Sequence, residues 1–304
     1  MSNKSLTALV SAFARVYHSE QYEATIFKDS LARQLMTEQE YDTISSNMCK
    51  AIQFFQPDFT GSEQEALRYV VNNQLSPSPL GRSSFTERAL QQAAVLGARQ
   101  YLILAAGYDT FAYRQPAWAE QLSIFEIDHP NTAADKQSRI SRLQWDVPAN
   151  LQLIAADFND SSWTQKLLAN THYSTSARSF ASMLGISYYL TKEAFSELLT
   201  ALANSMPAGS SVVFDYPDEL TFTPQAGSRA QKQVMMAASA GEPMQASYSY
   251  LELESLLEQA GWLIYEHLTP AEITDQLFKH YNENNPQHPI TAFDNVNYCL
   301  AVKR

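Results

Sequence analysis

Short apolar segments followed by turn residues recur along the middle of the chain. Five of them are Tyr101–Ala106, Leu122–Ile127, Leu151–Ala156, Ser179–Leu184 and Ser211–Tyr216. Segments of helical composition lie between them, namely Pro130–Arg142, Ser162–Leu168 and Lys192–Ser205. Short apolar runs bounded by turn signals are typical of buried parallel strands. Strands that alternate with helices predict an α/β fold with a doubly wound, mostly parallel sheet.

The C-terminal part of the chain continues this alternation. A helix is predicted over 250–260, ending at Gly261, and strands are predicted over 262–268 and 297–304. These two strands bring the predicted sheet to seven. The polar, proline- and methionine-containing segment at about 217–249 is predicted to be an insertion that covers the carboxyl ends of the strands.

The N-terminal part has a different pattern. Residues 1–80 carry apolar side chains at helical spacing, and the turn-rich stretch 77–84 predicts a break in any helix there. We therefore predict that 1–80 forms a helical cover within the same domain. Residues 81–304 would form the main ligand-binding part.

Composition excludes several classes of function. The 304 residues hold 21 Lys and Arg against 32 Asp and Glu, a net charge of −11, which argues against a nucleic-acid partner. The sequence has no run of about 18 apolar residues, so no membrane span is predicted. The N-terminus does not resemble a signal peptide. The two cysteines, Cys49 and Cys299, stand in dissimilar contexts, and we expect a cytoplasmic protein. The histidines lack the spacing of metal ligands, so no metal site is predicted. Monomer and homodimer both remain open.

Small and acidic residues follow three successive predicted strands. Gly107 follows the first strand, and Asp128, 21 residues later, ends the second. Ligands of open α/β sheets bind at this edge, and a carboxylate at such a spacing accepts hydrogen bonds from ribose hydroxyls. Asp157 and Phe158 follow the third strand and could contact an adenine. Because the segment AAGYD lacks two of the glycines of GxGxxG, these residues indicate S-adenosylmethionine rather than NAD or ATP.

Longer motifs give the sequence a recognisable likeness. They are GRSSFTERAL, LILAAGYDTFAYR, FEIDHPNTAADK, AADFND and LGISYYLTKEAF. In this order they resemble the leucine carboxyl methyltransferase family, including its bacterial polyketide-pathway branch, most closely over about 80–190. The resemblance implies a class I methyltransferase fold, Rossmann-like in topology, and S-adenosylmethionine as cofactor.

The resemblance also implies roles for single residues. Arg82 matches the arginine that pairs with the carboxylate of the cofactor, and Asp128 matches the acid that binds the ribose. Ala105 and Gly107 match the motif that packs under the cofactor. In the same way, the pair Asp157 and Phe158 would bind the adenine.

Two positions depart from the family pattern. Leu184 stands where the family often has a glutamate, which removes one polar contact near the cofactor's amino group. Ala105 stands where glycine is common, so we expect a negative φ there. Asp109 and Arg114 fit a family run for which we favour a structural role.

The methyl acceptor is less constrained than the cofactor. An acceptor carboxylate is already ionised at neutral pH, whereas a phenol or alcohol needs a base. His129 follows Asp128 but matches the ribose-loop motif, so no catalytic residue is assigned. Four tyrosines are candidates for the wall of an acceptor pocket: Tyr188, Tyr189, Tyr216 and Tyr248.

The leading hypothesis is an S-adenosylmethionine-dependent O-methyltransferase that acts on a carboxylate of a small-molecule metabolite. Two alternatives stay open: a methyltransferase of a protein C-terminal carboxylate, and a non-catalytic protein that binds an S-adenosyl ligand. An NAD-dependent oxidoreductase ranks last because GxGxxG is absent.

Overall fold

The computed structural model describes residues 5–158, 162–239 and 241–304. Seven strands form one sheet in this part of the chain: β1 Gln100–Leu104, β2 Ser123–Asp128, β3 Leu151–Ala155, β4 Ser179–Met183, β5 Ser211–Pro217, β6 Trp262–Leu268 and β7 Val296–Lys303. The helices that precede β1 are α1 Leu6–Gln21, α2 Ala32–Leu35, α3 Glu38–Phe55, α4 Glu63–Val70 and α5 Pro77–Val95. Those that follow it are α6 Phe111–Arg114, α7 Pro130–Leu143, α8 Ser162–Ala169, α9 Lys192–Ser205, α10 Gly227–Ser239, α11 Tyr250–Gln259, α12 Pro270–Leu277 and α13 Lys279–Asn284.

The sheet has the order β3-β2-β1-β4-β5-β7-β6, and β7 runs antiparallel to both of its neighbours. The other pairs are parallel, as the buried apolar runs predict. The strand order reverses between β1 and β4, which places the switch point of the sheet at the carboxyl ends of these two strands. The predicted doubly wound, mostly parallel seven-stranded sheet is confirmed.

Both faces of the sheet are covered by helices. Tyr101 and Ile103 of β1 pack into one core, whereas Leu102 and Leu104 pack into the other. Successive side chains of a strand point to opposite faces, so β1 is buried on both sides and is apolar throughout. Helix α5 closes the first core, and helix α9 closes the second.

The prediction of a break at 77–84 is wrong. These residues form the first half of α5, in which Pro77 and Pro79 are buried in the first turn. A first-turn proline has no amide that the helix would need, so this position accepts it. Gly81 lies inside this helix. A larger residue would not fit there, because a Cβ would come within 2.4 Å of the Tyr298 hydroxyl. The predicted boundary at residue 80 therefore falls within a continuous helix.

The N-terminal helices pack against the carboxyl edge of the sheet. Arg15 of α1 donates through Nε to Asp29 at 2.9 Å and through Nη2 to the carbonyl oxygen of Tyr108 at 2.8 Å. Asp29 also accepts a hydrogen bond of 2.7 Å from the Thr110 hydroxyl. Asp29 is fully buried, so these partners offset the cost of burying its charge. This network joins α1 to the loop that follows β1.

No helix of the described residues is both long and apolar enough to cross a membrane. Within the same ranges, no cluster of three or more His, Cys, Asp or Glu side chains has an arrangement that could hold a metal ion.

Candidate functional site

A cavity of about 430 Å³ lies at the switch point of the sheet. The carboxyl ends of β1, β2 and β4 form its floor. Helix α1 and the segment 241–245 lie over it. Its volume is within the range of small-molecule sites, roughly 300–1,000 Å³.

The turn after β1 brings the backbone close to this cavity. Gly107 has φ of +53°, and a Cβ there would lie 3.1 Å from the Cβ of Ala8. Ala105 has φ of +54°, so the expectation of a negative φ at this residue is wrong. The left-handed conformation costs an L-residue roughly 1–2 kcal/mol, so the surrounding fold stabilises a strained turn.

We expect Ala105→Gly to raise the free energy of unfolding by about 0.5–1 kcal/mol, because it relieves this strain. The greater conformational freedom of glycine in the unfolded chain offsets only part of the gain. Urea denaturation of both proteins measures the difference. The opposite kind of change at a neighbouring residue, Gly107→Ala, should be destabilising, because it adds backbone strain and a close contact with Ala8. A destabilised Ala105→Gly variant would contradict the assignment of strain to this residue.

Asp128 ends β2 and faces the same turn. Its Oδ2 accepts a hydrogen bond from the Gly107 amide at 2.5 Å, and its Oδ1 accepts one from the His129 amide at 2.6 Å. Burial raises the pKa of this carboxyl, and the two amide hydrogen bonds act in the opposite direction. A carboxylate has about four acceptor positions, so Asp128 can still accept hydrogen bonds from a ligand.

A second polar group lies on the other side of β1. Arg82 of α5 donates through Nη1 to Asp215 Oδ2 at 3.4 Å and through Nη2 to the Ser11 hydroxyl at 3.3 Å. Its guanidinium packs on Gly185, where an added Cβ would lie 2.2 Å from Nη1. Burial alone would lower the pKa of Arg82, but the neighbouring Asp215, Tyr188 and Tyr298 raise it above its ordinary value. Arg82 therefore remains a cation at the cavity wall.

Comparison with known proteins identifies the fold and the family. The family model of leucine carboxyl methyltransferases matches residues 8–203. A Bacillus subtilis (strain 168) protein is 40% identical over 100% of this chain and 99% of its own length, and its provisional name is S-adenosyl-L-methionine-dependent methyltransferase YktD. The chain belongs to the leucine carboxyl methyltransferase family. The resemblance seen in the sequence motifs is thereby confirmed.

Solved structures share the architecture of this methyltransferase-family chain at low identity. A DUF574-family protein of Streptomyces avermitilis MA-4680 is 14% identical with a TM-score of 0.58, covering 97% of each chain. A protein of Thermobifida fusca YX, provisionally named a methyltransferase, is 12% identical with a TM-score of 0.57, covering 100% of this chain and 96% of its own. At such identities the likeness extends to the fold alone.

The geometry of this family member fits the cofactor that its sequence motifs imply. The Asp128 carboxylate and the Arg82 guanidinium both line the cavity, on opposite sides of the end of β1. A carboxylate suits ribose hydroxyls, and a guanidinium suits a carboxylate group. Ala105, Gly107 and Leu184 line the cavity between them. Both groups suit an S-adenosyl ligand, and we predict that its amino-acid end would lie towards Arg82.

The adenine assignment is less complete. Asp157 and Phe158 follow β3 but do not line the cavity, and the Phe158 ring packs edge-on against Trp163 at 5.7 Å. Asn159 and Asp160 of the same motif lie outside the described residues. Adenine binding by Asp157 and Phe158 stays a prediction.

The four candidate tyrosines separate into two groups. Tyr189 lines the cavity. Burial, and to a smaller extent the charge of the nearby Glu242, raises the pKa of its hydroxyl. The other three are buried and do not line this cavity, so their place in an acceptor pocket stays a prediction. The Tyr188 hydroxyl donates to Asp215. Tyr216 hydrogen bonds to His267 at 2.7 Å, and its ring packs with that of Tyr248.

Two features of this site were missed in the sequence. One is Asp215, which lies within the apolar run of β5; a charged residue in such a run indicates a buried polar contact. The cavity-facing residues of α1 were missed as well, including Thr7 and Ser11. The Thr7 hydroxyl donates to Glu242 of the insertion, so a hydrogen bond joins α1 to the segment 241–245 beside the cavity.

The two residues for which a structural role was favoured brace the loop after β1. Arg114 hydrogen bonds to both carboxylate oxygens of Glu87, including one bond of 3.0 Å from Nη1. Asp109 accepts a hydrogen bond of 2.7 Å from the Phe111 amide. Asp109 also lines the cavity.

Proposed function

We propose that this chain is an S-adenosylmethionine-dependent O-methyltransferase that methylates a carboxylate of a small-molecule metabolite. Family membership supports methyl transfer, and the polar groups of the cavity fit the cofactor. The observation that supports a carboxylate as the methyl acceptor is the composition of the cavity wall. Among the described residues, no histidine and no lysine lines it.

The residues of the chain have separate tasks in this proposal. Asp128 accepts hydrogen bonds from the ribose, and Arg82 binds the carboxylate end of the cofactor. When bound, S-adenosylmethionine supplies an electrophilic methyl group on its sulfonium. Helix α1 and the segment 241–245 cover the cavity and limit the access of water, and water exclusion strengthens the electrostatic interactions inside.

The composition of the cavity wall favours an acceptor that is already deprotonated at neutral pH. A phenol or alcohol usually needs a base whose pKa lies near the working pH, and histidine is the most frequent one. A carboxylate is already ionised above about pH 5. Positioning of the acceptor in line with the methyl group can then supply much of the rate.

The test is transfer of a labelled methyl group to a panel of carboxylic acids. A methyl ester releases its label as methanol in mild base, whereas a methyl ether does not. We expect base-labile product, with kcat/KM constant between about pH 6 and 8, since the carboxylate charge does not change in this range.

Two outcomes would contradict the proposal in different ways. Base-stable product with a rate that rises with pH would indicate a hydroxyl acceptor and a base. Binding of S-adenosylhomocysteine without transfer to any acceptor, peptides with a C-terminal carboxylate included, would favour the non-catalytic alternative.

A further inference from the structure

Asp215 is a fully buried carboxylate beside the cavity. It lies on β5 with no exposed surface, and its Oδ1 accepts a hydrogen bond of 2.7 Å from the Gly185 amide. Its Oδ2 accepts from Tyr188 and from Arg82. Three elements therefore converge on one side chain: α5, the turn after β4 and the short helical turn that contains Tyr188.

A buried carboxylate is costly unless it is paired and hydrogen-bonded. Within the described ranges, three groups donate to the Asp215 carboxylate. Of these, only Arg82 carries a charge, and only Arg82 and Gly185 also line the cavity. Burial, and then the Asp215 charge, raise the pKa of Tyr188 well above its ordinary value, so this hydroxyl remains a donor to Asp215. Asp215 therefore contacts the Arg82 guanidinium from outside the cavity wall.

Arg82 retains the capacity to bind a ligand. Its side chain is 17% exposed, and in the described part of the chain its hydrogen bonds engage Asp215 and Ser11 at 3.3–3.4 Å. A guanidinium has five N–H donors in one plane, so a carboxylate can approach the remaining ones. The contact with Gly185 restricts this plane further, because no side-chain atom separates the two residues.

We propose that Asp215 is a positioning residue, which orients the Arg82 guanidinium to bind the carboxylate end of the cofactor. This inference rests on the proposed function. Asp215 does not line the cavity, so it acts through Arg82 and the Gly185 backbone. Its removal should weaken only ligands that possess the amino-acid end.

The test compares two ligands in Asp215→Asn. S-adenosylhomocysteine carries the amino-acid carboxylate, and 5′-methylthioadenosine lacks it but keeps the ribose and the adenine. By calorimetry we expect the affinity for S-adenosylhomocysteine to fall by about tenfold or more, the scale of one charge-assisted hydrogen bond. The affinity for 5′-methylthioadenosine should stay within about twofold of wild type. KM for S-adenosylmethionine should rise more than kcat falls.

Asp218→Asn is the matched control. Asp218 lies just after β5, and its carboxylate accepts from the Leu220 amide at 3.0 Å and the Thr221 hydroxyl at 3.2 Å, outside the cavity wall. This variant should bind both ligands as wild type does. If Asp215→Asn does not fold, Tyr188→Phe decides the question, because it removes a donor to the same carboxylate. A loss confined to S-adenosylhomocysteine supports the proposal.

Equal weakening of both ligands, or unchanged binding of S-adenosylhomocysteine by the folded variants, overturns the positioning role. Failure of the wild-type protein to bind either ligand is a different result. It would refute the proposed function itself.

Discussion

Replacing Gly185 by alanine is expected to abolish most binding of S-adenosylhomocysteine while the protein stays folded. Gly185 has φ of +72°, and an added Cβ would lie 2.2 Å from Arg82 Nη1 and 2.8 Å from its Cζ. Because those atoms belong to the guanidinium that would bind the cofactor, the methyl group displaces it. Loss of a buried ionic contact costs roughly 2–5 kcal/mol, so we expect the dissociation constant to rise by about 100-fold.

Gly261→Ala separates this displacement from backbone strain. Gly261 has φ of +88°, and an added Cβ would meet no atom of the described residues within 4 Å. Both variants should lose stability through the left-handed conformation, by roughly 1–2 kcal/mol. Only Gly185→Ala should lose S-adenosylhomocysteine, measured by calorimetry on protein whose unfolding is followed separately. Comparable affinity in the two variants would mean that Arg82 does not bind the ligand.

The sheet could be predicted because its strands are buried on both faces. Each predicted strand lies within two residues of an observed one, and the helix Lys192–Ser205 and the strand Trp262–Leu268 have the predicted bounds. Continuous apolar runs and turn residues encode such elements locally. The start of α5 could not be read in this way, because proline is accepted in a first helical turn as well as in a loop.

The parts of the site that could not be predicted depend on long-range packing. The conformation of Ala105 is set by its surroundings, since local preference alone would give a negative φ. The direction of a side chain at a strand end depends on the pleat. Asp215 and Tyr216 are adjacent on β5 and therefore point to opposite faces, which sends Tyr216 into the core with Phe214 and Tyr248 and away from the cavity.

Arg82 and Asp128 would hold two different halves of the cofactor. The ligand pair used for Asp215 distinguishes these halves, because only S-adenosylhomocysteine has an amino-acid end. Variants near Arg82 should affect one ligand, whereas variants near Asp128 should affect both. Each site residue can thus be assigned to one half of the ligand without knowledge of the acceptor.

Asp128→Asn should weaken S-adenosylhomocysteine and 5′-methylthioadenosine alike, by about 100-fold each. The ribose hydroxyls donate to a carboxylate, and each hydrogen bond to a charged group contributes roughly 1.5–3 kcal/mol. An amide keeps one oxygen, which already has a partner in the Gly107 or the His129 amide. Calorimetric titration of the variant with each ligand measures the two losses.

Asp275→Asn, a change of the same kind on the exposed surface of α12, should leave both affinities unchanged. A loss in Asp128→Asn that is confined to S-adenosylhomocysteine would place Asp128 at the amino-acid end and reverse the orientation argued for the cavity. Because the turn at Gly107 depends on Asp128, the variant is also expected to lose some stability. An equal loss for both ligands in a folded protein would therefore place Asp128 at the ribose and adenine half that both ligands share, away from the amino-acid end.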